Sequence, residues 1–205
     1  MVLLALQGGH GNAFEAGSQQ AAVEPGNKAE LAELEAYLNN VRTVRSTFVQ
    51  TASNGSIAEG TLYLSRPDKL RIDYDPPARL QIFGDDFWLI FVDEELKEVN
   101  QLPIGSTPAA LLLKDKISLS GEITVQKMTR QNGLIRLHLT QSKEPDAGRL
   151  IVTIAANPLS LRGWTVIDAQ GIETTVTLIG PTINGDIPDK VFVYSPPSWV
   201  NSGQE

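Results

Sequence analysis

Two histidines, His10 and His138, and two acidic runs, Asp85-Asp86 and Asp93-Glu94-Glu95, are the residues of this chain best equipped for chemistry. Clustered carboxylates suit a hard cation such as calcium, but such clusters are more often solvated turns. His10 falls in a polar lead-in and His138 in a β-rich run, where an exposed or hydrogen-bonded strand histidine is the ordinary outcome. There is no Gly-x-Ser-x-Gly elbow, no His-Glu-x-x-His helix, no Walker loop and no glycine-rich dinucleotide turn. Cysteine is absent, which removes a disulfide framework, a thiolate metal site and a thiol nucleophile together. No catalytic residue, metal or cofactor is expected, and the chain does not read as an enzyme.

What remains is binding, and composition narrows it. The 205 residues suit one domain with a substantial core. With 41% hydrophobic and 20% charged residues the chain has the make-up of a soluble globular protein. Seventeen basic against 24 acidic residues give a net charge of −7, which disfavours a nucleic-acid backbone as partner. No apolar run approaches the roughly 20 residues that span a bilayer. Residues 1–26 read as a disordered lead-in. Met1 to Leu6 within it are either the remnant of a signal-peptide core or an ordinary start.

Leu31, Leu34, Leu38, Val41, Val44 and Phe48 step by three or four, the spacing of one apolar helix face. Asn27 and Glu30 resemble a capping box at its start, and the helix is expected to give way to extended chain near Arg45–Phe48. Strands are predicted near 44–52, 57–65, 69–75, 78–83, 87–93, 96–102, 121–129, 133–141, 149–155, 160–167, 172–179 and 190–195. Turn signals such as Asn54-Gly55, Asp75-Pro76-Pro77, Gln131-Asn132-Gly133 and Ala169-Gln170-Gly171 separate many of them. Links this short argue for sequential antiparallel hairpins. Thr107 to Leu113 interrupts the series, since proline followed by Ala and Leu reads as a short helix. Leu62 and Leu64 share one strand face, as do Leu70, Ile72 and Tyr74. The run Phe87 to Val92 is apolar on both faces and implies cover on both sides. The expected fold is mainly β (α+β): a curled antiparallel sheet closing over its own concave face, plugged by helices.

Four segments in this order resemble the LolA family of periplasmic lipoprotein carriers. They are Leu38 to Gln50, a helix running into a strand that ends Phe48-Val49-Gln50; Glu59 to Tyr74, a hairpin with Arg66-Pro67 at its turn; Thr107 to Leu113; and Val191 to Pro197. With the strands between, they cover roughly residues 28 to 200. The resemblance implies an incomplete, half-open β-barrel with a long N-terminal helix and short lid helices, one carrier domain over residues 27–205. It also implies periplasmic export and transfer of acylated lipoproteins from the inner-membrane ABC transporter LolCDE to an outer-membrane receptor, LolB where one exists. Nothing else is implied beyond the acyl chains as ligand, and a monomer suits a carrier that needs its mouth free.

Carried over by position, the resemblance gives Arg66 the role of fastening the lid, for which a five-donor guanidinium fork is suited. It makes Leu70 and Ile72 cavity positions, with Ile72 standing where the family often has tryptophan. Ile90 takes a second tryptophan position, and Trp88 is expected on the opposite face from it. The full expected cavity and lid set is Leu34, Leu38, Val41, Phe48, Leu62, Leu64, Leu70, Ile72, Tyr74, Ile90, Pro108, Leu111 and Leu112. Two other readings stay open: a carrier of this fold for another lipid or glycolipid, and a periplasmic sensor domain like RseB.

Overall fold

A computed structural model of the chain describes residues 28–85 and 87–200. The lead-in expected over 1–26 and the capping residue Asn27 lie outside the described residues. Helix α1 spans Lys28–Asn40 and buries Leu34 and Leu38. The apolar three-and-four spacing continues through Val41, Val44 and Phe48, yet the helix has ended and strand β1 begins at Thr43. Thr43, Val44 and Thr47 are β-branched and stiff in a helix. Val44, Ser46 and Phe48 are buried while Arg45 and Thr47 are exposed, which is the alternation of a strand. The expected helical stretch to Arg45–Phe48 is thus shortened by about one turn. Asn184 receives the chain as it leaves the helix, donating to the Asn40 carbonyl at 2.8 Å and accepting from the Arg42 amide at 2.7 Å.

Eleven strands follow: β1 Thr43–Ala52, β2 Ile57–Ser65, β3 Lys69–Tyr74, β4 Leu80–Asp85, β5 Trp88–Asp93, β6 Glu98–Pro103, β7 Ile123–Gln131, β8 Leu134–Gln141, β9 Gly148–Ala156, β10 Leu159–Asp168 and β11 Glu173–Ile183. They form one antiparallel sheet in the order β6-β5-β4-β3-β2-β1-β11-β10-β9-β8-β7. Every neighbour is a sequential hairpin except one, where β1 pairs with β11 and joins the two halves of the meander. The free edges are β6 and β7, so the barrel is incomplete. The connection between them carries two 3-10 turns, Ile104–Ser106 and Pro108–Leu112, and the second packs against β9 and β10. The expected lid helix is therefore a tight 3-10 segment.

Curvature comes from bulges in β1, β7 and β10, where the pairing register shifts. At the β10 bulge Gly163 has φ +150°, and a Cβ there would stand 2.0 Å from the Val176 carbonyl oxygen. Neighbouring backbone must move to admit any side chain. Gly163→Ala is expected to lower unfolding free energy by roughly 2–4 kcal/mol, read as a shifted urea midpoint at unchanged slope.

The concave face is filled unequally. Leu137, Leu150, Val152 and Ile154 on β8 and β9 are fully buried beneath α1. That helix is fastened across them by the Glu30–Arg130 ion pair and by the Leu161 amide, which donates to the Tyr37 hydroxyl at 2.6 Å. The inner faces of β3, β4 and β5 have no such plug and look onto open space.

The twelfth strand expected at 190–195 does not form. Asp189–Phe192 is a 3-10 turn, and the segment beyond it lies over the outer face of β3 to β5 instead of along a sheet edge. There Tyr194 and Trp199 pack with Phe83, Ile90 and Val92, and Arg71 donates to the Val191 carbonyl at 3.1 Å. Both free edges are elsewhere, and Pro188, Pro196 and Pro197 lack the amides a ladder needs. Of the run apolar on both faces, Leu89, Ile90 and Val92 are covered, whereas Phe87 is 75% and Trp88 45% exposed.

Candidate functional site

The space inside β3 to β5 is a cavity of about 490 Å³. Leu70, Ile72 and Tyr74 of β3, Ile82 of β4, and Leu89 and Phe91 of β5 form one wall. Period-two alternation on three paired strands puts them there, since Ile72 lies opposite Ile82 and Ile82 opposite Phe91. Trp164 and Val166 of β10 and Val176 of β11 form the facing wall, and Ala110, Leu112 and Leu113 the roof.

Gln50, Tyr74, Asp168 and Thr174 ring one end of the cavity, and Thr107 adds one polar residue beside the roof. The Tyr74 hydroxyl donates to Gln50 Oε1 at 2.7 Å, and its ring stands edge-on to Phe48 with centroids 5.3 Å apart. Burial pushes the Tyr74 phenol up to about 12, against the opposing effect of the Gln50 hydrogen bond. Tyr74 is thus neutral throughout the physiological range, and the wall it belongs to carries no charge.

A second, much smaller space of about 20 Å³ lies under α1, lined by Leu38, Val41, Leu62 and Ile117 among others. Leu64, Leu112 and Trp164 line both spaces and form the partition between them. Moving Leu112 with its 3-10 segment would join the two.

Arg66 sits at the β2–β3 turn with only 6% of its surface exposed. Its Nη1 donates to the carbonyls of Leu38 at 2.7 Å and Val41 at 3.0 Å. Its Nε donates to the Lys114 carbonyl at 2.6 Å, and its Nη2 to the Asp115 carbonyl at 2.9 Å. One fork therefore ties the end of α1 to the chain just after the 3-10 roof. The last turn of α1 has no basic residue of its own, so Arg66 also brings positive charge to the negative end of the helix dipole. Burial first, and then repulsion from Arg42, lower the Arg66 pKa. Arginine titrates so high that it stays a cation regardless.

Two residues of α1 and Arg42 just beyond its end strengthen the same fastening, and sequence reasoning missed them. Arg42 pairs with the Asp115 carboxylate at 2.7 Å and donates to the Asp115 carbonyl at 2.7 Å. The Arg42 hydrogen bond holds the Asp115 carboxyl below its ordinary range. Asn39 accepts from the Ile117 amide at 2.8 Å and donates to the Ile117 carbonyl at 2.7 Å. Glu35 accepts from the Leu119 amide at 2.7 Å. Glu35 and Asn39, four apart, draw a polar line along the helix beside the apolar stripe, and Arg42 follows just past the helix end. That line was readable, but nothing local said which backbone it meets.

The expected site residues divide as follows. Leu64, Leu70, Ile72, Tyr74 and Leu112 line the main cavity, and Leu38, Val41 and Leu62 the small space. Leu34 and Phe48 are in the packed core. Leu111 faces a side cleft with Lys114 and Glu122, away from the main cavity. Only the backbone of Pro108 is described, at the start of the 3-10 segment. Ile90 is a correction: it lies opposite Phe83 on the outer sheet face, and its neighbours Leu89 and Phe91 enter the cavity instead. Trp88 shares the outer parity with Ile90, so the two are not on opposite faces. Among the described residues no group of three or more His, Cys, Asp or Glu is placed to hold a metal.

Residues 39–195 match the sequence model of the family described as outer membrane lipoprotein carrier protein LolA. The outer-membrane lipoprotein carrier protein of Methylococcus capsulatus is 30% identical over 82% of this chain and 84% of its own. That of Neisseria meningitidis serogroup B is 26% identical over 90% and 91%. Among solved structures, a LolA superfamily protein from Nitrosomonas europaea aligns with a TM-score of 0.45 at 10% identity, covering 80% of this chain and 97% of that one.

Proposed function

The chain belongs to the LolA family of outer membrane lipoprotein carrier proteins, and we propose that its 490 Å³ cavity receives lipoprotein acyl chains for transit across the periplasm. The observation that carries this reading is the cavity wall itself. It is aliphatic and aromatic along its length, with most of its polar groups at one end, and so matches a hydrocarbon chain with a polar head.

Energetics require such a shelter. Three acyl chains of about 16 carbons, at about 0.8 kcal/mol per methylene, would cost on the order of 35 kcal/mol to expose. Size supports a moving roof. A methylene is about as large as a water molecule, roughly 30 Å³, so one such chain fills about 480 Å³. The closed cavity therefore has room for one chain, and further chains need the Leu112 partition to move and the space under α1 to open.

In this mechanism α1 and the Pro108–Leu112 roof are the lid, and Arg66 holds them shut. The energy of opening subtracts from acyl affinity, so the cargo is held loosely enough to be passed on. The donor in this scheme is a LolCDE-type transporter, and the acceptor is a LolB-like receptor or the outer membrane itself. The test is release of newly made lipoproteins from spheroplasts bearing a matching LolCDE, with and without the purified protein. Soluble one-to-one complexes are expected. Lipoproteins that stay on the membrane beside folded protein would reject the reading, and mass spectrometry of bound lipid would then identify another cargo.

A further inference from the structure

We propose that the outer face of β7 to β10 is a docking surface for an anionic phospholipid bilayer. Each of these four adjacent strands turns one cation outward: Lys127 on β7, Arg136 on β8, Arg149 on β9 and Arg162 on β10. Lys127 is paired across the ladder with His138, and Arg162 is thrown outward by the bulge between Leu161 and Gly163. Adjacent strands are about 4.8 Å apart, and Arg149 lies opposite Ile167, five residues along β10 from Arg162, so the four charges are spread over a face roughly 15 Å on a side.

Among the described residues no ion pair ties up any of them, whereas Arg42, Lys69, Arg71, Lys114 and Arg130 are all in salt bridges. The four strands contain one carboxylate, Asp168, and it lies at the cavity rim. Residues 123–168 hold six Lys and Arg against three Asp and Glu in a chain of net charge −7. The charges are close enough to act on a neighbour: Lys127, Arg149 and Arg136 each press the His138 pKa down, after burial. At physiological salt the Debye length is about 8 Å, so the patch acts locally in spite of the overall negative charge.

The ground beside Arg136 and Arg162 is largely hydroxylic, while Ile167 lies opposite Arg149. Thr153, Thr165, Thr175 and Thr177 surround a shallow depression over Gly163, with Arg136 and Arg162 beside it and Glu173 as its single carboxylate. Threonine hydroxyls and guanidinium forks are donors for phosphate oxygens. None of the exposed large hydrophobic residues lies on β7 to β10. A specific protein interface needs buried apolar or aromatic anchors at its centre. A headgroup layer needs only distributed cations, and that difference favours lipid over an acidic protein.

The test is sedimentation of the whole chain with vesicles of phosphatidylcholine alone or with 30% phosphatidylglycerol. Binding is expected only to the anionic vesicles and should weaken as salt rises. Each basic residue strengthens such binding roughly five-fold. A variant carrying Lys127→Gln, Arg136→Gln, Arg149→Gln and Arg162→Gln should lose on the order of 600-fold, while Lys116→Gln with Lys190→Gln should lose nothing. Because both vesicles carry the same chains, uptake into the cavity cannot mimic the effect, and a variant unable to take acyl chains should still dock. Equal binding to both vesicles, full binding by the fourfold variant, or binding to neither would each overturn the proposal; the last would leave an acidic protein as the partner.

Discussion

Replacing Arg66 with leucine should raise the apparent affinity for acylated cargo roughly 100-fold and slow its release. The guanidinium donates to four backbone carbonyls, those of Leu38 and Val41 at and just past the end of α1 and those of residues 114–115. Leucine fills part of the volume and supplies none of the donors, so about 3 kcal/mol of closing energy is lost. If closing competes with cargo, that loss reappears as affinity. The same variant should melt roughly 6–12 °C lower when empty, and saturating cargo should recover much of the difference. Arg66→Lys keeps the charge but loses the fork and should fall between the two. A variant that melts lower but binds and releases cargo as before would reduce Arg66 to a structural bolt.

The second large effect is expected at Ile72. Its side chain is only half-buried and faces the cavity from the middle of β3. Ile72→Asp sets a carboxylate against the bound hydrocarbon, which must then be desolvated or left unpaired. Acyl binding should fall at least 100-fold. Because the empty cavity can admit water beside the new group, folding stability should drop by less than about 2 kcal/mol. The contrast with a packed position on the same concave surface is instructive. Leu137 on β8 is fully buried, so aspartate there would abolish folding and say nothing about ligand. Retained binding by Ile72→Asp would show that the cavity is not where acyl chains lie.

These residues differ in how far sequence could place them. Leu70, Ile72 and Tyr74 alternate with charged Arg71 and Asp73, so the wall they form was legible from period alone. In β5 every position from Trp88 to Val92 is apolar, and parity carried no information. The family resemblance points to Ile90 as a cavity residue, but Leu89 and Phe91 occupy the cavity. The pairing of β1 with β11 left no local trace either, since it joins segments over a hundred residues apart through backbone groups that any sequence supplies. Val191 to Tyr194 alternates like a strand but has no free edge to join, and packing against Phe83 decided its course. The importance of Arg66 came from the family resemblance. Its partners Leu38, Val41, Lys114 and Asp115 are backbone carbonyls, which carry no signature in residue type.

The measurement closest to the central claim compares a triacylated lipopeptide with the same peptide lacking its acyl chains. Trp164 is 7% exposed and borders both the main cavity and the space under α1. In a chain with Trp88→Phe and Trp199→Phe its emission reports on that partition alone. Saturable one-to-one binding of the acylated form, with a change in Trp164 emission, and no binding of the bare peptide is the expected result. Equal binding of both peptides, or acyl binding that leaves Trp164 unchanged, would contradict an acyl carrier that works through this cavity.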